Sequence, residues 1–348
     1  MCHTHIQVLG VIKNNSRINM KENGKLIISL DFELLWGMRD KKTIETYGEN
    51  ILGVRQSIPK MIEIFNEYEI NATFSTVGFL FAKNKNEILE FSPNIKPKYI
   101  DENLSPYNGY FNEIGDKENV DKFHFASSII DELKKHSNHE ISTHTFSHYY
   151  CLEKGQNITD FKRDLVSAIN IAKKNDIILE SIIFPRNQYN KDYLSVCTEL
   201  GINSFRGNEK VWFNKADNGE NESMIKRIFR LSDSYINISG HHTYSINKIK
   251  KTTPYNIPSS RFLRAFNPKL KFIEKLKLNR IKKSMTYAAK NGHIYHLWWH
   301  PHNFGTFQKE NFEFLREILI HYSILKSKYN FESLTMNNLA KKTSQNNG

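Results

Sequence analysis

Two histidines four residues apart, His144 and His148, lie in the stretch EISTHTFSH behind a short apolar run. On a helical turn this spacing places both imidazoles on one face, within reach of one metal ion. The alternative interpretation is a surface or capping pair, since the chain has 14 histidines. A hydrolytic site of the zinc type also needs a carboxylate ligand, a base and an acid. Other segments must supply those groups.

Two carboxylates, Asp31 and Glu33, follow the apolar run KLIISL (25–30), which reads as a buried strand. In an extended segment they point to the same side, because side chains alternate. The alternative is a polar strand end with a helix-capping acid. The short strands ending in PRN (185–187) and HPHN (300–303) deliver further polar groups in the same way.

Strands and helices alternate along the chain, which predicts a parallel sheet. Strands are expected at 25–30, 72–78, 140–142, 181–184, 202–206 and 293–299, with helices between them. In a parallel α/β barrel all carboxyl ends of the strands open on one face, where active sites of that architecture lie. That face would collect the following side chains: Asp31, Glu33, His144, His148, Arg186, His300 and His302.

The domain organisation is inferred from the segments in which the hydrophobic periodicity of helices and strands is lost. We expect an N-terminal tail over 1–23, a barrel over 24–340 with insertions near 83–121 and 213–266, and a C-terminal tail over 341–348. The insertion at 83–121 is too long for an ordinary connection and predicts a disordered segment or a lid. Met20 is an alternative start to Met1.

The formal net charge of +12 is concentrated in one region, where 248–283 holds twelve basic residues and Glu274 alone as an acid. The region is interpreted as a solvated helix face, or as a contact for phosphate-bearing substrates or an anionic membrane surface. Nucleic acid is not expected as a partner, since no recognition motif accompanies the charge. Three scattered cysteines and the lack of a secretion signal at the start predict a cytoplasmic protein, peripheral to the inner membrane if the basic region binds lipid.

The segments LDFE, HTFSH, FPRNQYN and LWWHPHN, in this order, resemble the motifs of the polysaccharide deacetylase family, the NodB-homology group also called carbohydrate esterase family 4. Trp212 takes the place of the tryptophan of the family's fourth motif. The residues of these motifs are similar to those of a subgroup of the family found in bacterial surface-polysaccharide biosynthesis. The resemblance covers 25–303 and implies a distorted (β/α) barrel with seven strands.

The resemblance also implies roles for individual residues. The metal ligands would be Glu33, His144 and His148, with Asp31 as base, although Asp31 and Glu33 could exchange roles. Arg186 would lie close to Asp31, a backbone N–H after Arg186 would hold the oxyanion, and His300 would be the acid, with His302 as its rival. Trp212, Trp298 and Trp299 are candidates for stacking on a sugar ring, with core packing as the alternative for strand aromatics. His302 is a further candidate for substrate binding, and Asp233 would orient His300.

The implied activity is removal of an N-acetyl group from an amino sugar, with zinc as the expected metal and cobalt, nickel, manganese or iron as alternatives. The expected substrate is an amino sugar, free or linked to a phosphate or a lipid, in the biosynthesis of O-antigen or capsule. One alternative is a hydrolase of the same fold that acts on a formamido sugar or a non-sugar amide. Another is a carbohydrate-binding protein without catalytic activity.

Overall fold

The computed structural model describes residues 22–216, 223–246, 249 and 253–345. The tail at 1–21, Met20 included, and Lys248, Lys250 and Lys251 of the basic region lie outside the described residues. The strands are β1 Lys25–Phe32, β2 Ala72–Thr76, β3 Glu140–Thr143, β4 Ser181–Ile182, β5 Ser204–Phe205, β6 Tyr244–Ser245, β7 Tyr255–Asn256, β8 Arg261–Phe262, β9 His293–Trp299 and β10 Glu332–Leu334. The α-helices are α1 Ile44–Glu67, α2 Lys85–Phe91, α3 Ser127–Lys134, α4 Ile158–Lys174, α5 Lys191–Glu199, α6 Met224–Tyr235, α7 Glu274–Asn291, α8 Gln308–Tyr329 and α9 Met336–Gln345.

The sheet is built around β1, whose eight residues are all buried. Its strand order is β6-β9-β1-β2-β3-β4-β5-β7, with β10 beside β1 and β8 beside β9. The pairs are parallel except for β6 with β9. A strand that is apolar on both faces is typical of the centre of such a sheet, so KLIISL forms the middle of the barrel wall.

One segment, 255–263, joins the two sides of the curled sheet. Its first part pairs with β5, where the N–H of Ile257 donates to the carbonyl of Phe205 at 2.9 Å. Its second part pairs with β9, where the N–H of Ser260 donates to the carbonyl of His296 at 2.8 Å. The expected α/β class and distorted barrel are therefore confirmed. The described sheet has ten strands, five of them only two residues long, where seven were expected.

The helices pack on the outside of this sheet. Helix α1 begins at a capping box formed by Thr43 and Thr46, and its buried face carries Ile51, Ile58 and Phe65. These residues repeat at helical spacing and bury an apolar stripe. None of the helices in the described ranges is both long and apolar enough to cross a bilayer.

The insertions and tails differ in part from expectation. The segment 83–121 contains α2 and packs into the core through Phe111, whose ring lies 5.6 Å from that of Phe79. It is therefore a packed layer over the barrel. Helix α9 continues to Gln345 and buries Thr343, so Lys341 to Gln345 are helical rather than a frayed tail. Residues 346–348 lie outside the described part.

Candidate active site and metal centre

Two carboxylates lie at the carboxyl end of β1. Asp31 is the penultimate residue of the strand and Glu33 follows it, and each is 3% exposed. Leu34 has a φ of 47°, which turns the chain sharply into a short 3-10 helix ending at Gly37. A Cβ at Gly37 would lie 2.1 Å from the carboxyl carbon of Glu33. Glycine at that position therefore leaves the space that the Glu33 carboxylate occupies.

The two histidines of HTFSH converge on Glu33. Oε2 of Glu33 lies 3.0 Å from Nε2 of His148 and 3.4 Å from Nε2 of His144. The expectation that the histidines share a helical turn is wrong, because residues 144–150 form an irregular loop. Thr145 and His148 have φ values of 63° and 59°, and these two left-handed residues bring the imidazoles together.

Hydrogen bonds to Asp164 of α4 hold the backbone of this loop in place. Its carboxylate accepts the N–H of Phe146 at 2.7 Å and the N–H of Ser147 at 3.1 Å, and it also accepts the hydroxyl of Ser147. Burial raises the pKa of Asp164 to about 6 in spite of these hydrogen bonds. Asp164 therefore fixes the backbone between His144 and His148, which the sequence pattern did not indicate.

The three side chains suit a divalent cation. One ligand atom from each of Glu33, His144 and His148 lies within 4.8 Å of the others. Nε2 of each histidine faces the Glu33 carboxylate, while Nδ1 is buried and has no hydrogen-bond partner among the described residues. Two imidazole nitrogens and a carboxylate are a common ligand set of catalytic zinc, and they also suit neighbouring transition metals.

The charge states agree with that use. Burial raises the pKa of Glu33, but His300, His144 and His148 outweigh it and hold the pKa well below the usual range. Burial lowers the pKa of His148 to about 4, which keeps the ring neutral. An ionised carboxylate and a neutral imidazole are the forms that bind metal.

Asp31 is held by Arg206, which sequence reasoning missed. Nη1 and Nη2 of Arg206 donate to Oδ1 and Oδ2 of Asp31, each at 2.7 Å. Nη2 also donates to Asn187 at 3.0 Å, and the guanidinium lies 3.9 Å from the ring centre of Trp298. Burial raises the pKa of Asp31, but Arg206, with His144 and His300, more than offsets it, so the carboxyl group is ionised.

The expected position of Arg186 beside Asp31 is wrong. Arg186 instead pairs with Asp40 and, at 3.1 Å, with Glu153, and its guanidinium lies 4.1 Å from the ring centre of Tyr150. The cause is a turn in which Arg186 and Asn187 have φ values of 53° and 54°. This turn presents Asn187, rather than Arg186, to the Arg206–Asp31 pair.

The backbone after Arg186 does not supply a free donor either. The N–H of Asn187 donates to the carbonyl of Phe184 at 2.8 Å, and that of Gln188 donates to the carbonyl of Pro185 at 3.1 Å. Both groups are used within the turn, so the expected backbone oxyanion donor is not available there.

His300 and His302 both reach the site from the segment after β9. Nε2 of His300 lies 3.8 Å from Asp31 and 3.8 Å from Glu33, while Nδ1 of His302 lies 3.8 Å from Glu33. The two rings stack with centres 4.8 Å apart. The His300 side chain is 23% exposed, whereas that of His302 is 3% exposed. Burial and the neighbouring His300 lower the pKa of His302 to about 3. His300 is therefore the histidine that a substrate can reach.

The tryptophans predicted to contact a sugar differ in their surroundings. Trp299 is fully buried, with its ring 5.6 Å from that of Phe304, so it belongs to the core and cannot stack on a sugar. Trp298 faces the Arg206 side instead. Trp212 is 55% exposed and packs edge-on against Phe229.

Asp233 does not contact His300. Its carboxylate pairs with Arg261 at 3.1 Å and accepts the N–H groups of Ile238 and Ser239 and the hydroxyl of Ser239. The expected role of Asp233 in orienting His300 is therefore wrong, because its partners in the described ranges lie in the insertion at 213–266 and, through Arg280 at 3.7 Å, in α7.

Comparison with known proteins supports the fold. No protein-family model and no curated protein matches the sequence. A solved candidate polysaccharide deacetylase from Mycobacterium smegmatis is similar with a TM-score of 0.58 and 12% identity, over 94% of this chain and 92% of that one. PuuE allantoinase is similar with a TM-score of 0.52 and 9% identity, over 91% and 89%.

A third solved structure, 4-alpha-glucanotransferase from Thermococcus litoralis, has a TM-score of 0.50 and 11% identity, over 92% of this chain and 40% of that one. The three proteins carry names of different activities, and at such identities the likeness concerns the fold alone. The function must be argued from the site.

Proposed function

We propose that the protein is a metal-dependent hydrolase of the NodB-homology type that removes an N-acetyl group from an amino sugar in surface-polysaccharide biosynthesis. The observation that carries this proposal is the cluster of Glu33, His144 and His148 directly beside the ionised Asp31–Arg206 pair. The candidate polysaccharide deacetylase from Mycobacterium smegmatis, similar in fold along nearly its whole length, is in keeping with it.

A cation held by Glu33, His144 and His148, most simply Zn²⁺, supplies Lewis acidity that polarises an amide carbonyl and strengthens water as a nucleophile. Asp31 takes the proton from the attacking water at its carboxylate. Arg206 keeps that carboxylate ionised and fixed in one orientation, since it holds both oxygens.

His300 supplies the second proton transfer. An amine cannot leave as an anion, so its nitrogen must be protonated as the C–N bond breaks. Nε2 of His300 lies at 3.8 Å from Asp31 and the side chain is partly exposed, which lets it donate to the leaving nitrogen. His302 is buried behind it and supports the ring by stacking. The sugar itself would contact Trp298 and Trp212 rather than Trp299.

The test is elemental analysis of the purified protein beside a His144→Ala, His148→Ala double variant, with acetate release from N-acetyl amino sugars followed in both. We expect near-stoichiometric metal and acetate release in the parent protein, and neither in the variant. Equal metal content in the two proteins would remove the histidines from the site and refute the proposal.

The same assay separates the alternatives. Release of formate from N-formyl amino sugars, without release of acetate from N-acetyl amino sugars, would identify a deformylase. Turnover of allantoin-like amides without sugar turnover would identify a non-sugar amidase. Sugar affinity with neither bound metal nor turnover would identify a binding protein. Against the last stands the buried Asp31–Arg206 pair, which binding alone does not require.

We also propose a location at the cytoplasmic face of the inner membrane, reached through the region 248–283. Within its described part, Lys269, Lys271, Lys275 and Lys283 are exposed, and so is Phe272. Exposed lysines beside an exposed aromatic ring are typical of surfaces that bind anionic lipid. Co-sedimentation with phosphatidylglycerol vesicles, but not with phosphatidylcholine vesicles, is expected. Unchanged binding after reversal of the four charges would contradict this location.

A further inference from the structure

A cavity of about 510 Å³ lies beside the reacting groups, between α6, the 3-10 turn at 212–214 and the ends of β8 and β9. Its charged lining residues are Arg227, Arg230, Arg261, Arg264, Glu209 and Asp233. Four guanidinium groups face two carboxylates, so the formal charge of the wall is positive by two. A cavity with that excess attracts a dianion.

One of these arginines has unused donors although it is buried. Arg261 is 6% exposed, and only its Nη1 is committed, to the carbonyl and the carboxylate of Asp233 at 2.9 and 3.1 Å. Its Nε and Nη2 have no hydrogen-bond partner among the described residues. A buried donor without a partner is costly. The guanidinium also lies near the buried Tyr295, which it affects electrostatically, and a ligand oxyanion in the cavity would supply the acceptor that the fork lacks.

The neighbouring arginines lie close enough to lower the pKa of one another. Burial lowers the pKa of Arg264, and the positive charges of Arg230 and Arg261 lower it further. Burial likewise lowers the pKa of Arg230, although Glu209 opposes this change. Arginines that repel one another across a cavity are stabilised when an anion enters it.

The cavity is continuous with the candidate active site. Trp298 lines it, and the same ring lies 3.9 Å from Arg206 and 5.7 Å from the ring of His300. Asn187 also lines it and accepts a hydrogen bond from Arg206. Phe262 completes this wall, with its ring 5.8 Å from that of His300. A group in the cavity is therefore next to whatever occupies the space between Asp31 and His300.

We infer that this cavity binds the phosphate or diphosphate of the substrate, so that the amide is hydrolysed on a sugar that carries a phosphate ester. The inference rests on the proposed function and gives it a substrate class. Phosphate is favoured over a carboxylate, because a single negative charge would leave half of the excess of the wall uncompensated. Planar guanidinium forks also match phosphate oxygens well.

The diphosphate of a nucleotide sugar and that of a lipid-linked sugar share this chemistry. Helix α6, which supplies Arg227 and Arg230 to the cavity, exposes Met224, Ile225 and Ile228. These apolar side chains beside the cavity favour a lipid tail as the second half of the substrate. The experiment therefore compares both sources.

The first measurement is the affinity for inorganic pyrophosphate, determined by isothermal titration calorimetry. The variant Arg227→Gln, Arg264→Gln removes two charges from the cavity wall, and the control Lys173→Gln, Lys309→Gln removes two charges from exposed sites that neither line it nor belong to the region 248–283. We expect the arginine variant to bind at least ~10-fold more weakly and the lysine control to stay within ~2-fold of the parent. The metal centre is the same in all three proteins. Any binding of pyrophosphate to the metal therefore contributes equally to the three affinities and does not change their ratio.

If Arg264→Gln disturbs folding, Arg227→Gln alone decides, since Arg227 is exposed, with an expected weakening of ~3-fold or more for one charge-assisted contact. Equal affinities in the arginine and lysine variants would overturn the inference. Competition by farnesyl diphosphate and by uridine diphosphate identifies the source, and tighter binding of farnesyl diphosphate is the expected result. Tighter binding of uridine diphosphate would keep the phosphate site and overturn the lipid source.

The second measurement compares kcat/KM for acetate release from N-acetylglucosamine 1-phosphate and from N-acetylglucosamine. We expect a preference of ~10-fold or more for the phosphorylated sugar, lost in the arginine variant and kept in the lysine control. Equal kcat/KM values would overturn the inference while the proposed function stands. Pyrophosphate binding lost in the arginine variant, with no acetate release from any sugar, would keep the anion site and refute the proposed function.

Discussion

Two buried pairs of aspartate and arginine lie a short distance apart in this protein, and they are alike in composition. Asp31 pairs with Arg206 beside the metal ligands, and Asp233 pairs with Arg261 in the wall of the cavity. All four side chains are less than 10% exposed. In both pairs burial raises the pKa of the carboxyl group, but the arginine and the other neighbouring donors and cations together lower it below the ordinary value, so both aspartates are ionised.

The pairs differ in which partner is left with free capacity. Arg206 donates through both terminal nitrogens, to Asp31, Ser29 and Asn187, and leaves only its Nε without a partner. Asp31 has no other donor within hydrogen-bond distance among the described residues. Asp233 is satisfied by two N–H groups and a hydroxyl, while Arg261 keeps two nitrogens without a partner. In the first pair the arginine prepares a carboxylate for chemistry. In the second the carboxylate anchors an arginine for binding.

The largest effect is expected from Asp31→Asn. Loss of a general base lowers the rate by at least ~100-fold, whereas the metal content should not change, because Glu33, His144 and His148 are intact. Acetate release and elemental analysis on the same preparation check this. If the metal disappears together with the activity, Asp31 is a ligand and the roles of Asp31 and Glu33 are exchanged.

Removal of the arginines should separate the two pairs by stability. Arg206→Met leaves Asp31 buried without a partner, which costs about 3–5 kcal/mol. Arg261→Met leaves Asp233 with its other donors, so a loss of about 1–3 kcal/mol is expected. Urea unfolding at pH 7 measures both, with equal m-values as the check that the unfolded states are comparable. Equal losses in free energy would show that the two aspartates depend on their arginines alike.

A smaller, pH-dependent effect is expected from Asp233→Asn. The folded-state pKa of Asp233 is lowered, so its ionised form stabilises the protein above the unfolded value of about 4, and this contribution is lost as the pH falls through the folded value. The free energy of unfolding should therefore fall by about 1–3 kcal/mol at pH 7, and the gap to the parent protein should close below about pH 4. Urea unfolding between pH 8 and pH 3.5 measures this. A gap that widens toward low pH would have the wrong sign.

Much of the site was predictable, because the carboxyl ends of parallel strands meet on one face. Asp31, Glu33, His144, His148 and His300 all lie there, as their positions after short apolar runs indicate. The same rule applied to the strand before Arg206 would have found that residue as well. The choice between Arg186 and Arg206 depends on a left-handed turn of two non-glycine residues, which local sequence does not announce.

The tryptophans of β9 show a second feature that the sequence pattern alone does not predict. Alternation places Trp298 and Trp299 on opposite faces, but the strand is apolar on both, so its pattern does not say which face is inward. His296 carries the missing information. Its Nε2 lies 2.8 Å from the hydroxyl of Ser29, which also binds Arg206, so even-numbered residues face the site. Trp298 and His300 share that parity, and Trp299 does not.

The smallest effect is expected from Arg186→Gln. Arg186 is the arginine that the sequence motif predicts beside Asp31. Arg186 pairs with Asp40 and Glu153 and does not touch Asp31, so its loss should lower kcat for acetate release by less than ~10-fold, against ~100-fold or more for Arg206→Gln. The two variants remove the same charge from segments that follow the neighbouring strands β4 and β5, and they are therefore matched in charge. Glu153 also accepts from Gln188 at 2.8 Å, so a partner remains for it when Arg186 is gone. If Arg186→Gln were the more damaging of the two, Asp31 would depend on an arginine that it does not contact here, and the division between a carboxylate-preparing pair and an arginine-anchoring pair would fail.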